Sequence, residues 1–125
     1  MDFQQNRSIT TLHDLGLRSL EQKEVELRLY SGYRPMELVL PCLYSEITGP
    51  ALGSIVEQLA FADYIGHITI GLDKATNSEF EDAKRFFKQL KRPHTVIWND
   101  GPRLVALRQS LENAGLNIGE QGKGR

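Results

Sequence analysis

The sequence has 125 residues, 40% of them hydrophobic and 25% charged, and 15 basic against 16 acidic side chains leave a formal net charge of −1. A chain of this length can bury a hydrophobic core without disulfides or bound metal ions, which excludes intrinsic disorder. The single cysteine, Cys42, excludes intramolecular disulfides and favours a cytoplasmic protein. The near-neutral charge provides no broad basic surface for nucleic acid, no apolar run approaches the roughly 18 residues of a membrane span, and no secretory leader is visible.

The first 35 residues are predicted to form an N-terminal extension ahead of the main domain. Residues 16–30 have the apolar spacing of an amphipathic helix, and residues 31–35 are typical of a linker. From residue 36 onward, three blocks repeat one order: an apolar, β-rich run, a polar turn, and a segment with helical periodicity. This order is typical of βα units.

The first two blocks each contain one strand and one helix. The strand at residues 36–40 is expected to stop at Pro41, because proline cannot donate to a sheet ladder, and residues 51–60 then form a helix with one apolar face. The second strand, at residues 67–72, ends at Asp73. We expect Asn77 or Ser78 to cap the next helix. The buried stripe of that helix is predicted to be Phe80, Ala83, Phe87 and Leu90.

The third block begins with a strand at residues 94–98 and continues after a turn into a helix. Pro102 suits the first helical position, and Gly115 is expected to end the helix. The residues predicted to face the core from this helix are Leu104, Leu107 and Leu111.

Three consecutive βα units predict an α/β fold with three layers, in which helices cover a Rossmann-like, mainly parallel sheet. Ligands in such sheets bind at the carboxyl ends of the strands. The segments at that edge are residues 41–46, 73–77 and 99–103.

The last residues of the sequence place glycines around one lysine. Gly122, Lys123 and Gly124 have the chemistry of a phosphate loop, since glycine N–H groups approach a phosphate closely and lysine supplies a positive charge. The spacing does not match a Walker A loop, which needs an earlier glycine and a Ser or Thr after the lysine. A frayed polar tail is the alternative interpretation.

Three short motifs occur together in the order found in one enzyme family. They are the strand and loop at residues 38–46 (LVLPCLYSE), the strand end at residues 71–73 (GLD), and the GKG at residues 122–124. Their combination resembles nucleotide-sugar glycosyltransferases of the GT-A fold, in particular the glucosyl- and mannosyl-3-phosphoglycerate synthases. The resemblance covers about residues 36–125 and implies a domain that binds a nucleoside-diphosphate sugar.

The resemblance also implies roles for individual residues. Asp73 matches an acid that contacts the base, and Lys123 beside Gly122 matches a contact to the diphosphate. In the loop after the first strand, the ribose contact falls to Ser45, to Glu46, or to neither, because this loop departs from the family pattern. The full set matched to the nucleotide is Pro41, Cys42, Leu43, Ser45, Glu46, Asp73, Gly122 and Lys123.

Each of these roles has a simpler alternative. Asp73 can serve its own turn, and Glu46 can be ordinary loop surface. Arg103 is a further candidate for a phosphate contact, with a plain helix start as the alternative. Asn99 and Asp100 are interpreted as a turn followed by a helix cap.

Other reactive side chains are predicted to be structural. Cys42 is expected to be a small buried residue instead of a nucleophile, and Trp98 is expected to be a core residue instead of a stacking platform. The histidines, which are His13, His67 and His94, do not form a set with the spacing of a zinc site.

The resemblance implies that a full-length enzyme uses an Asp-x-Asp motif to hold Mg²⁺ or Mn²⁺ against the donor diphosphate. No Asp-x-Asp occurs in the 125 residues. We therefore identify no metal ligand in this chain, and we expect a domain truncated at its C-terminus and inactive by itself.

The predicted function is donor binding in a hexosyltransferase. The implied donor is UDP-glucose or GDP-mannose, and the implied acceptor is a small hydroxyl compound such as glycerate or 3-phosphoglycerate. An exposed sheet edge favours a homodimer, while neither nucleic acid nor a membrane is expected as a partner. The alternative is a stand-alone, non-catalytic module for nucleotide or phosphate binding or for assembly.

Overall fold

A computed structural model describes residues 19–119 of the chain. The predicted helix start at Gly16 and the predicted phosphate contacts Gly122 and Lys123 lie outside the described residues. The chain divides into two compact units, residues 1–35 and residues 36–125. No helix within the described range is long and apolar enough to cross a membrane.

The described part of the first unit is a helix, α1 (Leu20–Tyr33). Its start is set by a capping box, in which Ser19 Oγ accepts from the Gln22 N–H and Gln22 Oε1 accepts from the Ser19 N–H, both at 3.2 Å. The helix continues to Tyr33, so the prediction of a linker from residue 31 is wrong over its first three positions. No residue of α1 is buried.

The second unit contains the three predicted βα blocks. Its elements are β1 (Met36–Leu43), the short helix α2 (Tyr44–Ile47), α3 (Pro50–Ala60), β2 (Ile65–Asp73), α4 (Asn77–Phe87), a 3₁₀ turn (Lys88–Leu90), β3 (His94–Trp98) and α5 (Pro102–Asn113). The strands form one sheet in the order β1-β2-β3, and both pairings are parallel. The predicted α/β class with a Rossmann-like parallel sheet is confirmed.

Buried and more exposed residues alternate along the strands, which shows that one face of the sheet is covered. On β2, Ile68, Ile70 and Leu72 are at most 1% exposed and pack in one cluster with Val56 of α3 and Phe87 of α4. In the strand order β1-β2-β3, two right-handed crossovers place their helices on the same face. Of the three expected layers, the described residues form the sheet and one helical layer.

The opposite face of the sheet is open among the described residues. Val39 on β1 is 67% exposed and Ile97 on β3 is 39% exposed. Towards the amino ends of the strands, this face carries Glu37, His67 and Thr95. The two ring nitrogens of His67 lie 3.2 Å from Glu37 Oε1 and 3.0 Å from Thr95 Oγ1. The face is therefore apolar near the carboxyl ends and polar near the amino ends.

The first strand does not stop at Pro41, as the sequence predicted, but continues to Leu43. Pro41 pairs with Gly71 of β2 within the parallel register. The strand tolerates proline because β1 lies at the edge of the described sheet, where a missing N–H costs no ladder hydrogen bond. The loop expected after Pro41 also contains α2, which the sequence pattern did not predict.

Helix α4 begins one or two residues earlier than predicted. Thr76 is the N-cap instead of Asn77 or Ser78, and its hydroxyl accepts from the Glu79 N–H while Glu79 Oε2 accepts from the Thr76 N–H. The predicted apolar stripe is confirmed, since Ala83, Phe87 and Leu90 are fully buried and Phe80 packs against the core.

Helix α5 begins at Pro102 as predicted and ends before Gly115, whose φ of 83° is the left-handed conformation that glycine adopts readily. The predicted core-facing stripe is wrong for Leu107, which is 54% exposed. No residue of α5 is buried, so its periodicity is that of a helix lying on the surface of the described unit.

Candidate functional site

The parallel register brings the ends of all three strands to one edge of the sheet. Cys42 pairs with Leu72, and Leu72 pairs with Trp98, so the next residues along each strand leave the sheet side by side. The three segments predicted from the sequence to surround a ligand therefore meet at this carboxyl edge.

Asp73 ends the central strand and lies at the middle of this edge. The residue is 9% exposed. Its Oδ1 accepts a hydrogen bond of 2.8 Å from the side-chain amide of Asn99, and the Asn99 backbone N–H donates to the Leu72 carbonyl at 3.0 Å. Asp73 is thus a buried carboxylate with one oxygen held by a neighbouring strand end.

The turn after β2 is held by residues from the end of β3. The indole N–H of Trp98 donates to the Ala75 carbonyl at 2.8 Å, and Asp100 Oδ2 accepts from the Ala75 N–H at 3.0 Å. The Trp98 ring also stacks on Phe80, with 5.2 Å between ring centroids. We call the three consecutive residues Trp98, Asn99 and Asp100 the strap.

The backbone of this turn has an unusual conformation. Lys74, the first residue after Asp73, has a φ of 53°, in the left-handed region. A residue with a Cβ pays about 1 kcal/mol or more for this conformation, so it persists only where its surroundings impose it. The two hydrogen bonds from the strap to Ala75 impose it here.

The loop after β1 is closed by Glu46. Its Oε2 accepts from the Leu43 N–H at 2.8 Å, which caps the first turn of α2. Pro41, near the end of β1, and Ser45 in α2 are both exposed. Cys42 is 1% exposed, which confirms the predicted small buried residue, and its thiol donates to the Leu43 carbonyl at 3.3 Å. The Cys42 side chain is therefore not available to a ligand at this edge.

A tyrosine from α2 lies beside α4 next to this loop. The Tyr44 hydroxyl donates to Asp82 Oδ2 at 3.5 Å. Desolvation, together with the negative charges of Asp82 and Glu79, raises the pKa of Tyr44 above its ordinary value of 10.0. The hydroxyl thus stays protonated and links the first loop to the helix that follows the second strand.

Positive charge at the edge comes from two exposed residues in the described range. Lys74 follows Asp73, and Arg103 stands in the first turn of α5. The N-cap of α5 is Gly101, which provides no side-chain cap, so the predicted cap role of Asp100 is wrong: its carboxylate turns to Ala75 instead.

The described residues do not fit a divalent cation. No group of three or more His, Cys, Asp or Glu side chains within residues 19–119 is placed to hold a metal ion. His94 pairs with Ile68 and so lies on the opposite face of the sheet from His67, with Nδ1 at 2.7 Å from the Arg92 carbonyl. No chemical step is therefore assigned to a metal.

Sequence reasoning missed the strap as part of the site. The sequence placed residues 99–103 at this edge but predicted only a turn and a helix cap for Asn99 and Asp100, and a core position for Trp98, which does pack against the core. The available signal was the register: Asp73 and Asn99 each directly follow an apolar strand, so parallel neighbours with aligned ends place them side by side.

A parallel sheet with polar side chains at the carboxyl ends of its strands defines this unit as a Rossmann-like α/β domain. No family model matches the chain, and no solved structure matches it.

The chain is, however, similar over its length to two curated glucosyl-3-phosphoglycerate synthases. It is 46% identical over 124 residues to the protein of that name from Persephonella marina, which covers 99% of this chain and 31% of that protein. It is 33% identical over 126 residues to the one from Methanococcoides burtonii, covering 100% of this chain and again 31% of the relative. The chain therefore spans about a third of the length of these relatives. The resemblance inferred from the motifs is confirmed.

Proposed function

We propose that this chain is the donor-binding part of a glycosyltransferase of the GT-A fold, which moves a hexose from a nucleoside-diphosphate sugar to a small hydroxyl acceptor. Support comes from the 46% identity to a glucosyl-3-phosphoglycerate synthase and from the ligand-binding edge of the sheet. The proposed donor is UDP-glucose or GDP-mannose, and the proposed acceptor is glycerate or 3-phosphoglycerate. A cytoplasmic location and a homodimer stay predictions.

The observation that carries the proposal is the buried carboxylate of Asp73 at the end of the central strand. An ionised carboxylate accepts hydrogen bonds and repels phosphate. It therefore fits the base of a nucleotide, since uracil and guanine both present ring N–H donors, and not the diphosphate. The base would lie over the end of β2.

The diphosphate belongs where the charge is positive. Lys123 between its glycines is the proposed contact, and Arg103 at the start of α5 is a second one. The loop after β1, with Leu43, Ser45 and Glu46, is left for the ribose. Because Glu46 already caps α2 through the Leu43 N–H, Ser45 is the more accessible of the two candidate side chains.

We also propose that the 125 residues bind the donor without sustained transfer. The metal-binding motif of such enzymes does not occur in this sequence, and the chain spans 31% of either relative. Incubation with UDP-glucose or GDP-mannose, Mg²⁺ and 3-phosphoglycerate should give no accumulating product. Multiple turnovers would contradict this proposal.

The binding proposal is tested by calorimetry with UDP, GDP and their sugars. Asp73→Asn removes the charge but keeps the shape, and the loss of a charge-assisted hydrogen bond should weaken nucleotide binding about 10- to 100-fold. Asp63→Asn, in the turn before β2 and so at the other end of the sheet, is the matched control and should bind as the wild type does. Equal affinity of Asp73→Asn and wild type, or no binding at millimolar nucleotide, would refute the proposal.

The phosphate contact is tested separately with Lys123→Ala. This variant should weaken the binding of UDP more than that of uridine, because only the former carries phosphate. Lys91→Ala, in the turn before β3, is the control. If UDP and uridine lose affinity equally, Lys123 does not contact the phosphates.

A further inference from the structure

The three residues of the strap direct their polar groups away from their own turn. Trp98 and Asp100 bind the backbone of Ala75, and Asn99 binds the side chain of Asp73. An Asn that only shapes a turn bonds to its own backbone two residues further on. The strap instead builds the end of the neighbouring strand.

The hydrogen bond from Asn99 determines how the Asp73 carboxylate is oriented. The terminal torsion of an Asp side chain is broad and only about two-fold restricted, so an unheld carboxylate rotates easily. A 2.8 Å bond to Oδ1 fixes that torsion. Among the hydrogen bonds of the described residues, none uses Oδ2, which leaves this oxygen for a ligand.

The side-chain amide of Asn99 lies over Gly71, at a distance that would be ordinary van der Waals contact for a Cβ there. A Cβ at Gly71 would lie 3.6 Å from Asn99 Nδ2, so the amide extends over the glycine to reach Asp73. The backbone of the same turn is held independently, because Ala75 is anchored through both its N–H and its carbonyl. Side chain and backbone of the Asp73 turn are thus each positioned from β3.

We propose that Asn99 is a positioning residue of the nucleotide site: its side-chain amide holds Oδ1 of Asp73 and thereby directs Oδ2 to the ring N–H of the base. This inference rests on the proposed binding of a nucleotide by Asp73. Asn99 acts on the ligand only by orienting Asp73 and does not contact the ligand itself.

The first test is Asn99→Ala, measured by calorimetry with UDP and with GDP on the 125-residue chain. Affinity should fall about tenfold, as expected for loss of one hydrogen bond to a charged group. Asn113→Ala, an exposed residue at the last position of α5 and outside the three segments of this edge, is the matched control and should leave affinity unchanged. Thermal unfolding shows whether each variant is folded at the titration temperature.

The second test gives a readout that a merely structural role would not change. Asn99→Asp places a second carboxylate against Asp73, and two carboxylates about 3 Å apart cannot both ionise freely, so one proton is shared and one pKa rises. Nucleotide affinity of this variant should be lowest at pH 8 and recover at least severalfold towards pH 5. The affinities of wild type and Asn99→Ala should not show that recovery.

The outcomes separate the two proposals. If Asp73→Asn weakens binding but Asn99→Ala does not, the nucleotide site stands and the positioning role is refuted. If Asn99→Asp binds with the same pH profile as Asn99→Ala, the positioning role is refuted as well. If Asp73→Asn binds as wild type does, the proposed function itself fails.

Discussion

Replacing Trp98 by phenylalanine tests whether the strap holds the turn after β2. Phenylalanine keeps an aromatic ring that can stack on Phe80 but removes the indole N–H that donates to the Ala75 carbonyl at 2.8 Å. Ala75 is 7% exposed, so water has little access to the carbonyl that loses its partner. The change therefore removes one hydrogen bond of the strap, together with the second ring of an indole that packs against the core.

The expected loss in the free energy of unfolding follows from this hydrogen bond and from the burial of its acceptor. A net hydrogen bond contributes about 1 kcal/mol, and a buried acceptor left without a donor costs a further 1 kcal/mol or so, giving about 2 kcal/mol for Trp98→Phe. In a domain of this size such a change lowers Tm by about 10 °C. Phe80→Leu, which removes the stacked ring but keeps the hydrogen bond, should cost about 1 kcal/mol through the lost ring contact.

Urea unfolding followed by circular dichroism measures both variants. The midpoint should shift for Trp98→Phe while the slope of unfolding free energy against urea stays the same. Combining Trp98→Phe with Asp100→Ala should give a coupling above about 0.5 kcal/mol, since both residues anchor Ala75. A loss below about 0.5 kcal/mol for Trp98→Phe, or strict additivity in the double variant, would refute the strap as the element that holds the turn.

Three further predictions concern the core, a helix cap and the open face. Phe87→Ala should lower the free energy of unfolding by about 3–5 kcal/mol in urea, because the side chain is fully buried, and a loss below about 1.5 kcal/mol would contradict this. Thr76→Ala should cost about 1 kcal/mol by removing the cap of α4, whereas its neighbour Asn77→Ala should be nearly neutral. Hydrogen bonds from Thr69 and then from His67 lower the pKa of Glu37 below its ordinary value of 4.5. The stabilisation that ionised Glu37 gives the folded state is therefore present above pH 4.5 and is lost as the pH falls through the lower pKa of the folded state. A carboxylate NMR titration should show the pKa of Glu37 rising in Thr69→Val, and an unchanged value would contradict the assignment.

Much of the fold could be predicted because its signals are local. The strand at residues 94–98 has the predicted bounds, since proline precedes it and a polar turn follows it. The start of α5 at Pro102 and the buried stripe of α4 also follow from proline geometry and helical spacing. Each of these features depends on residues within one or two turns of each other.

Two of the remaining errors come from neighbours distant in sequence. Pro41 lies inside β1 because the strand has an open edge there, and Leu107 is exposed because no element of the described unit covers it. The N-cap error is local instead: Thr76 and Glu79 form a reciprocal capping box three residues apart, and the Thr-x-x-Glu pattern is present in the sequence. Secondary-structure propensities describe each residue type by itself and carry no information on which strand or helix packs beside it.

The candidate site shows the same division. The sequence by itself determined the βα order, and with it the edge of the sheet where Asp73 stands, because apolar periodicity and turn residues are properties of adjacent positions. Only the tertiary structure decided that Asn99 orients Asp73 and that Trp98 and Asp100 hold Ala75. Those contacts join residues 23 to 26 positions apart, and they exist only once the parallel register has aligned the ends of β2 and β3.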